Sequence, residues 1–183
     1  MADRFLQIEN VLFTATMVCY LVSMVLYFCF FALKKEKLSD LGKYALLVGF
    51  VLHTAALVVR GIGAGRLPLT NQYEFATSFA WGIALCSLVF IFRFRFQALG
   101  TFVSPVIFLI IGYAAMQSKQ VKNLMPALQS NWLAIHVSTA IISYGSFGVS
   151  FAVSAMFLLR EKMKGNEFWM RNIPEERKLD KGQ

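Results

Sequence analysis

The sequence is poor in charged residues, cysteine and proline. Charged side chains make up 15% of its 183 residues, against about 25% in soluble domains. The cysteines Cys19, Cys29 and Cys86 all lie inside apolar runs, without a CxxC pair or metal-ligand spacing, so we interpret them as buried apolar residues. These shortages exclude a disulfide scaffold and a disordered chain, and they argue against a soluble domain.

Apolar surface is present in excess. Hydrophobic residues make up 57% of the sequence, with 18 phenylalanines and a mean hydropathy of +0.59. Five apolar runs reach or approach the roughly 20 residues that cross a membrane. The fourth run is the shortest and contains Pro105, so it can be kinked, tilted or partly re-entrant. We predict an all-α integral membrane protein, a polytopic bundle of about five transmembrane helices over residues 11–33, 44–59, 75–92, 100–116 and 132–159, followed by a polar tail at 160–183.

The basic residues predict how the chain crosses the membrane. The net charge is +8, but Lys and Arg stand in short clusters between apolar runs, which indicates membrane topology rather than nucleic-acid binding. Nine of them follow runs one, three and five, and five lie in the other connections. Because the more basic connections stay in the cytoplasm, we expect the N-terminus outside and the C-terminus in the cytoplasm.

The only two histidines, His53 and His136, both fall in predicted spans. Ionisable groups inside a membrane are costly and are candidates for function. At a rise of about 1.5 Å per residue, His136 lies roughly 6 Å inside Trp132 and His53 roughly 10 Å below Arg60, so both should occupy the outer half of the membrane. Each imidazole can ligate haem iron, or it can hydrogen-bond a neighbouring helix.

Small residues stand near both histidines. Gly49 precedes His53 by one turn and leaves room for a flat ring or for a closely packed helix. In run five, a stripe of hydroxyl residues continues from His136 down one helix face and can be a helix-packing seam. The stripe consists of Thr139, Ser143, Ser146, Ser150 and Ser154.

The connection between runs two and three holds Gly61, Gly63 and Gly65, without the βαβ context of a dinucleotide fingerprint. Asn71 and Glu74 have the spacing of a capping box, which predicts the start of helix three. Basic residues on this side can pair with haem propionates or with lipid headgroups: Arg60, Arg66, Lys119 and Lys122. With no Ser-His-Asp, P-loop or HExxH pattern, the sequence does not predict a conventional enzyme.

Two motifs resemble the CcsA/ResC family of cytochrome c biogenesis proteins. After Arg60, residues 65–74 read Gly-Arg-Leu-Pro-Leu-Thr-Asn-Gln-Tyr-Glu, similar to the family's R…G-x-x-P-x-S-N-x-Y-E segment. Residues 128–144 resemble its L-Q-S-x-W-L-x-x-H-V-x-x-x-x-x-S-Y segment, and His53 occupies an H-T-x-x-L position seen in bacterial members. Thr70 replaces the usual Ser, and Arg66 replaces a common His.

The resemblance implies a membrane protein that presents b-type haem, in transit, on the outer face for attachment to apocytochrome c, beside a ResB-type partner. By position, His136 matches the family's first external axial histidine, with Trp132 beside the ring and Arg66 toward a propionate. The motifs cover only the N-terminal portion of the family pattern. We therefore expect a C-terminal half, separately encoded or continuous, to carry the tryptophan-rich segment and further histidines. The expected location is a bacterial plasma membrane.

Two other classes stay open at this point. In a b-type electron carrier, His53 and His136 would ligate one haem together, which their similar depth permits. A structural or transport subunit would bind no haem and would tolerate alanine at both histidines.

Overall fold

A computed structural model describes residues 2–121 and 131–162, and these residues form five α-helices. The helices are α1 (Ala2–Leu33), α2 (Glu36–Ala64), α3 (Gln72–Phe94), α4 (Leu99–Ala115) and α5 (Asn131–Lys162). All except α4 are long and apolar enough to cross a membrane, and neither described range contains a β-strand. The prediction of an all-α, multi-pass membrane protein is confirmed. Lys122 and residues 163–183 of the predicted tail lie outside the described residues.

The helices extend past the apolar runs that predict them. α1 begins at Ala2 rather than at residue 11, and α2 begins at Glu36 rather than at residue 44. Hydrophobicity marks where a helix enters the hydrocarbon layer, whereas helical hydrogen bonds continue into the polar flanks. α4 has 17 residues with Pro105 inside it, which matches the short fourth run. At about 1.5 Å per residue it is a little shorter than the roughly 30 Å hydrocarbon core.

Short connections make the first four helices run in alternating directions. α1 passes to α2 at Lys34 (φ 57°), and α3 turns toward α4 at Arg95 (φ 52°). α2 is capped by Gly65 at φ 64°, a left-handed conformation that glycine adopts without strain. We call the end of the bundle that holds residues 65–71 the upper end. α1, α3 and α5 begin there, and α2 and α4 end there.

The most extensive helix packing joins α1 to α2. Buried residues recur at alternating intervals of three and four along both helices, the spacing of a left-handed helix pair. In α1 they are Glu9, Phe13, Thr16, Tyr20, Ser23, Tyr27 and Phe30, and in α2 they are Ser39, Gly42, Leu46, Gly49, His53, Ala56 and Arg60. The ring of Tyr20 packs on Gly49, and that of Tyr27 packs on Gly42. The room predicted at Gly49 is therefore filled by a ring of the neighbouring helix.

Glycines also bring the second half of the bundle together. A Cβ at Gly145 of α5 would stand 2.5 Å from the carbonyl oxygen of Gly82 in α3, so the two backbones meet without space for a side chain. α4 packs against α1, α3 and α5, and the ring of Tyr27 covers its Gly100. α4 is therefore the central helix of this half.

One face of α5 is buried in the bundle, and another face is exposed. Its inner face packs on α3 and α4 through Ile141, Gly145, Val149, Ala152 and Met156. The hydroxyl stripe lies on the other face and is exposed along its whole length. Three stripe hydroxyls bond to carbonyls of their own helix one turn earlier: Thr139, Ser143 and Ser146. Within the described bundle, α5 packs mainly through its inner face rather than through this stripe, apart from the contact of Ser146 with Cys86 of α3.

Candidate functional site

Four parts of the fold meet at the upper end around the buried guanidinium of Arg60. Its Nε donates to Glu74 Oε1 at 3.0 Å, and its Nη1 lies 3.2 Å from Glu9 Oε2. The same Nη1 donates to the carbonyl oxygen of Lys119 at 2.9 Å. The Tyr73 hydroxyl donates to Glu9 Oε1 at 2.9 Å, and its ring lies 5.2 Å from the guanidinium carbon. We call Glu9, Arg60, Tyr73 and Glu74 the Arg60 cluster; each is at most 3% exposed.

The charges of the Arg60 cluster are tolerated because each has a partner. Removing one partner from a buried ion pair costs about 3–5 kcal/mol, since it leaves an uncompensated charge. The space between Arg60, Glu74, Pro68 and Thr77 is too small for a water molecule. The cluster is thus a closed network that ties α1, α2 and α3 to the residues after α4.

Glu74 also organises the connection before α3. Asn71 caps the helix, since its side chain accepts from the amide of Glu74 at 2.8 Å, and the predicted start of helix three is confirmed. Glu74 does not return a bond to Asn71, as a full capping box would require. Its Oε2 instead accepts from the amide of Thr70 at 2.8 Å and from Nη1 of Arg66 at 3.0 Å. Arg66, a candidate partner for a haem propionate in the sequence, is therefore paired with a carboxylate of its own chain.

Lys119 lies in the segment that leads from α4 toward α5, and its side chain turns inward. Nζ donates to Asn10 Oδ1 at 2.8 Å and stands 4.4 Å from the centre of the Phe13 ring. Burial lowers the pKa of Lys119 below its usual value, and the charge of Glu9 opposes this shift. Next to it, the carbonyl oxygen of Gln120 accepts from Asn71 Nδ2 at 3.0 Å.

His53 is completely buried in the α1–α2 interface. Its Nδ1 lies 3.0 Å from the hydroxyl of Tyr20, and the two rings meet edge to face at 5.7 Å. The prediction that His53 hydrogen-bonds a neighbouring helix is confirmed. Nε2 has no hydrogen-bond partner among the described residues. A histidine that ligates haem iron through one nitrogen keeps its second nitrogen hydrogen-bonded, as Nδ1 of His53 is to Tyr20. To reach Nε2 of His53, however, a haem would have to separate the packed helices that enclose it.

His136 and Trp132 lie one turn apart near the upper end of α5, and both are exposed. With about 100° between successive residues, His136 points away from Ser138 and Ile141, which face the rest of the bundle. The structure therefore brings Trp132 and His136 together on one accessible face. It does not bring His53 and His136 together, because one is enclosed and the other lies on the outer surface.

An open groove of about 490 Å³ separates α2 from α5 at the upper end. On its floor, Trp81 Nε1 donates to Thr54 Oγ1 at 2.9 Å, and the Trp81 ring stacks on Phe50 at 5.5 Å. Arg66 lines the rim, and the remaining wall is mainly apolar. Neither histidine lines this groove, so a haem seated there would find no axial imidazole among the described residues.

Sequence reasoning misses Glu9, Tyr20 and Tyr73 as members of these networks. For Glu9 and Tyr20 the signal exists in the spacing of α1, where they fall on the same three-and-four pattern that places His53 and Arg60 on α2. Tyr73 stands in the motif at residues 65–74, but the sequence does not indicate its partner, because Glu9 lies far away along the chain.

The fold and the site define a class of protein: a multi-pass helical membrane protein with a closed ion-pair network and an accessible histidine at one membrane surface. Comparison with known proteins makes the class specific. The family model described as Cytochrome C assembly protein matches residues 69–182. The chain belongs to this family, which confirms the resemblance found in its motifs.

Relatives in very different organisms support this membership. The chain is 32% identical over 148 residues to the cytochrome c biogenesis protein CcsA of Synechococcus sp. (strain JA-2-3B'a(2-13)), covering 76% of this chain and 42% of that protein. With CcsA of Arabidopsis thaliana it shares 33% over 141 residues, covering 74% and 42%. With protein NrfI of Wolinella succinogenes it shares 35% over 120 residues, covering 63% and 13%. The chain thus spans about two-fifths of the length of these two CcsA proteins.

Proposed function

We propose that this chain acts in the assembly of c-type cytochromes, as part of a membrane protein that presents b-type haem on the outer membrane face. The observation that carries the proposal is the exposed His136, which stands beside Trp132 in the motif that resembles the CcsA/ResC family. A haem, when bound, supplies the iron porphyrin that becomes attached to apocytochrome c. The role proposed for the chain itself is to bind and orient that group.

The residues at the upper end of α5 fit one side of a haem. A histidine nitrogen is an axial ligand of haem iron, and His136 is accessible from outside the bundle. Trp132, 79% exposed and one turn away, offers an apolar ring surface beside it. Arg66 would have to exchange Glu74 for a propionate, so its proposed role includes opening that ion pair. His53 is the weakest of the proposed ligands, because its imidazole is enclosed.

The second half of the haem site is proposed to come from outside the described residues. The exposed face of α5 is the surface on which it would dock: hydroxyl residues and a histidine run down a helix that crosses the membrane. Polar side chains in a membrane normally face other helices rather than lipid, and small residues let helices approach closely. We propose that helices of a C-terminal half or of a ResB-type partner cover this face, and that apocytochrome c approaches at the upper end.

The proposed orientation places the upper end outside a bacterial plasma membrane. It rests on the excess of Lys and Arg in the connections at the opposite end. A b-type electron carrier that uses both histidines gains no support, since the two imidazoles face different surroundings. A subunit without haem would tolerate alanine at His136.

The test is to produce the chain together with the C-terminal part of a CcsA relative and to record the haem spectrum of the purified complex. We expect a haem absorption band that is lost in His136→Ala and kept in His53→Gln, the matched change at the other histidine. A spectrum that His136→Ala leaves unaltered would remove His136 from the site. A complex that never contains haem and never supports cytochrome c maturation would contradict the proposed function.

A further inference from the structure

The end of the bundle opposite the upper end, which we call the lower end, carries an excess of positive charge. α1 and α3 end there, and α2 and α4 begin there. Residues 34–43 and 93–95 hold six basic side chains and two acidic ones. Five of the basic residues are exposed: Lys34, Lys35, Lys37, Arg93 and Arg95. At the upper end, by contrast, Arg60 and Arg66 are paired with carboxylates of the chain.

The start of α2 is hydrogen-bonded to the connection between α3 and α4. Ser39 Oγ donates to Gln97 Oε1 at 2.8 Å, and Gln97 Nε2 donates to Asp40 Oδ1 at 3.1 Å. Asp40 Oδ1 also accepts from Lys43 Nζ at 3.0 Å. The Lys43 ammonium stands 5.4 Å from the centre of the Phe92 ring in α3. The basic residues at the start of α2 and at the end of α3 therefore belong to one surface.

This charged surface borders an exposed apolar surface. Tyr44, whose ring centre lies 5.0 Å from the Lys43 ammonium, is 55% exposed, and Phe92 is 44% exposed. Leu41 and Phe94 are exposed as well. Aromatic rings of membrane proteins concentrate at the level of the lipid headgroups. A phospholipid carries a phosphate next to its acyl chains and so matches both surfaces, whereas an acidic segment of a protein matches only the charged one.

We propose that the lower end binds an anionic phospholipid of the membrane leaflet that it faces. The headgroup lies against the basic residues of α2 and α3, and the acyl chains lie along Tyr44 and Phe92. Basic side chains beside a transmembrane helix attract anionic headgroups, and each one strengthens the attraction. In the predicted orientation this is the cytoplasmic leaflet, whose surface is negatively charged. The lipid site lies at the other end of the helices from His136 and does not depend on haem.

Native mass spectrometry of the full chain, released from detergent micelles, tests the preference for anionic lipid. The probes are phosphatidylglycerol, which is anionic, and phosphatidylcholine, which has no net charge. We expect the wild-type protein to bind phosphatidylglycerol at least about tenfold more tightly than phosphatidylcholine. Equal binding of the two lipids by the wild-type protein would overturn the proposal.

Two single variants test the basic residues, one in each segment. Lys35→Gln and Arg93→Gln should each weaken binding of phosphatidylglycerol about fivefold, and the double variant about 25-fold, without changing the binding of phosphatidylcholine. Arg4→Gln is the matched control, since Arg4 is an exposed basic residue at the upper end. It should leave the binding of both lipids unchanged. A loss in Arg4→Gln as large as that in Arg93→Gln would show that no site exists at the lower end.

Cross-linking locates the bound lipid and tests the other occupant of this surface. A phosphatidylglycerol with a photoreactive group near its headgroup should label peptides that contain Tyr44 and Phe92, and unlabelled phosphatidylglycerol should compete. Labelling that is equally strong at Ile62, an exposed residue at the upper end, would contradict the proposal. A carbodiimide joins lysine to carboxylates. Links from Lys35 or Lys37 to acidic residues among 163–183, formed equally with and without phosphatidylglycerol, would mean that the chain covers this surface itself.

Discussion

Gly100 and Gly112 stand in the same helix, and a methyl group would meet opposite conditions at the two positions. At Gly100 it would overlap the ring of Tyr27, which is buried between α1, α2 and α4. At Gly112 nothing lies within 4 Å of the added carbon. The pair therefore separates the effect of packing from the general effect of replacing glycine in a helix.

We predict that Gly100→Ala lowers the free energy of unfolding by about 1–3 kcal/mol, because Tyr27 or the backbone of α4 must move. Gly112→Ala should be neutral or stabilising by up to about 1 kcal/mol, since alanine is the better helix former. Thermal unfolding of both variants in the same detergent measures the difference. Equal stability of the two variants would mean that Tyr27 does not pack on Gly100.

At this scale the sequence identifies residues better than it assigns their roles. Both histidines stand out because ionisable groups are rare in a membrane. The sequence cannot tell that His53 meets Tyr20 while His136 faces outward, because that difference depends on which helices are neighbours. Arg60 and Glu74 are visible in a motif, whereas their partner Glu9 lies more than 50 residues away.

Among the helices, the contact between α3 and α5 gives the most direct test of register. Cys86 Sγ lies 3.8 Å from Ser146 Oγ, at the edge of the crossing between Gly82 and Gly145. Two side chains at this separation are close enough for a disulfide when the backbone geometry allows it.

We predict that Ser146→Cys forms a disulfide with Cys86 under mild oxidation, detected by mass spectrometry of the digested protein. Ser150→Cys is the control, one turn further down the exposed stripe. It should stay reduced under the same conditions. A disulfide that forms equally well from position 150, or from neither position, would show a different register of α5 on α3.

Helix positions follow from the sequence, but helix partners do not. The length of each apolar run predicts a span, because the hydrocarbon layer has a fixed thickness. The hydroxyl stripe of α5 has the spacing of a packing seam, yet the seam in this bundle is the opposite face through Ile141 and Gly145. Periodicity identifies two candidate faces on such a helix and cannot choose between them, since both carry small residues.

For the whole molecule, the unequal distribution of Lys and Arg predicts that the upper end lies outside the cell. Ser118 at the upper end and Lys37 at the lower end are both exposed and suit labelling. A membrane-impermeant maleimide should label Ser118→Cys in intact cells and Lys37→Cys only after permeabilisation. The wild-type protein, with Cys19, Cys29 and Cys86 in its helices, gives the background. The reverse pattern would invert the orientation and move the proposed haem face to the cytoplasm.

Family membership was accessible from the motifs at residues 65–74 and 128–144, because they combine rare residues in a fixed order. The fold class was accessible from composition alone. The closed Arg60 cluster was not, since its members come from three different helices, α1, α2 and α3. The exposure of the hydroxyl stripe on α5 was not accessible either, because it depends on which face of α5 packs on α3 and α4.

The central claim is that His136 supplies an axial ligand to haem, and imidazole rescue of a cavity variant tests it most directly. His136→Gly, produced with the C-terminal part of a relative, removes the ligand and leaves space at the surface of α5. We predict that this variant loses the haem absorption band and that added imidazole restores it, while His53→Gln needs no rescue. Haem binding that is undiminished in His136→Gly without imidazole would show that His136 is not an axial ligand.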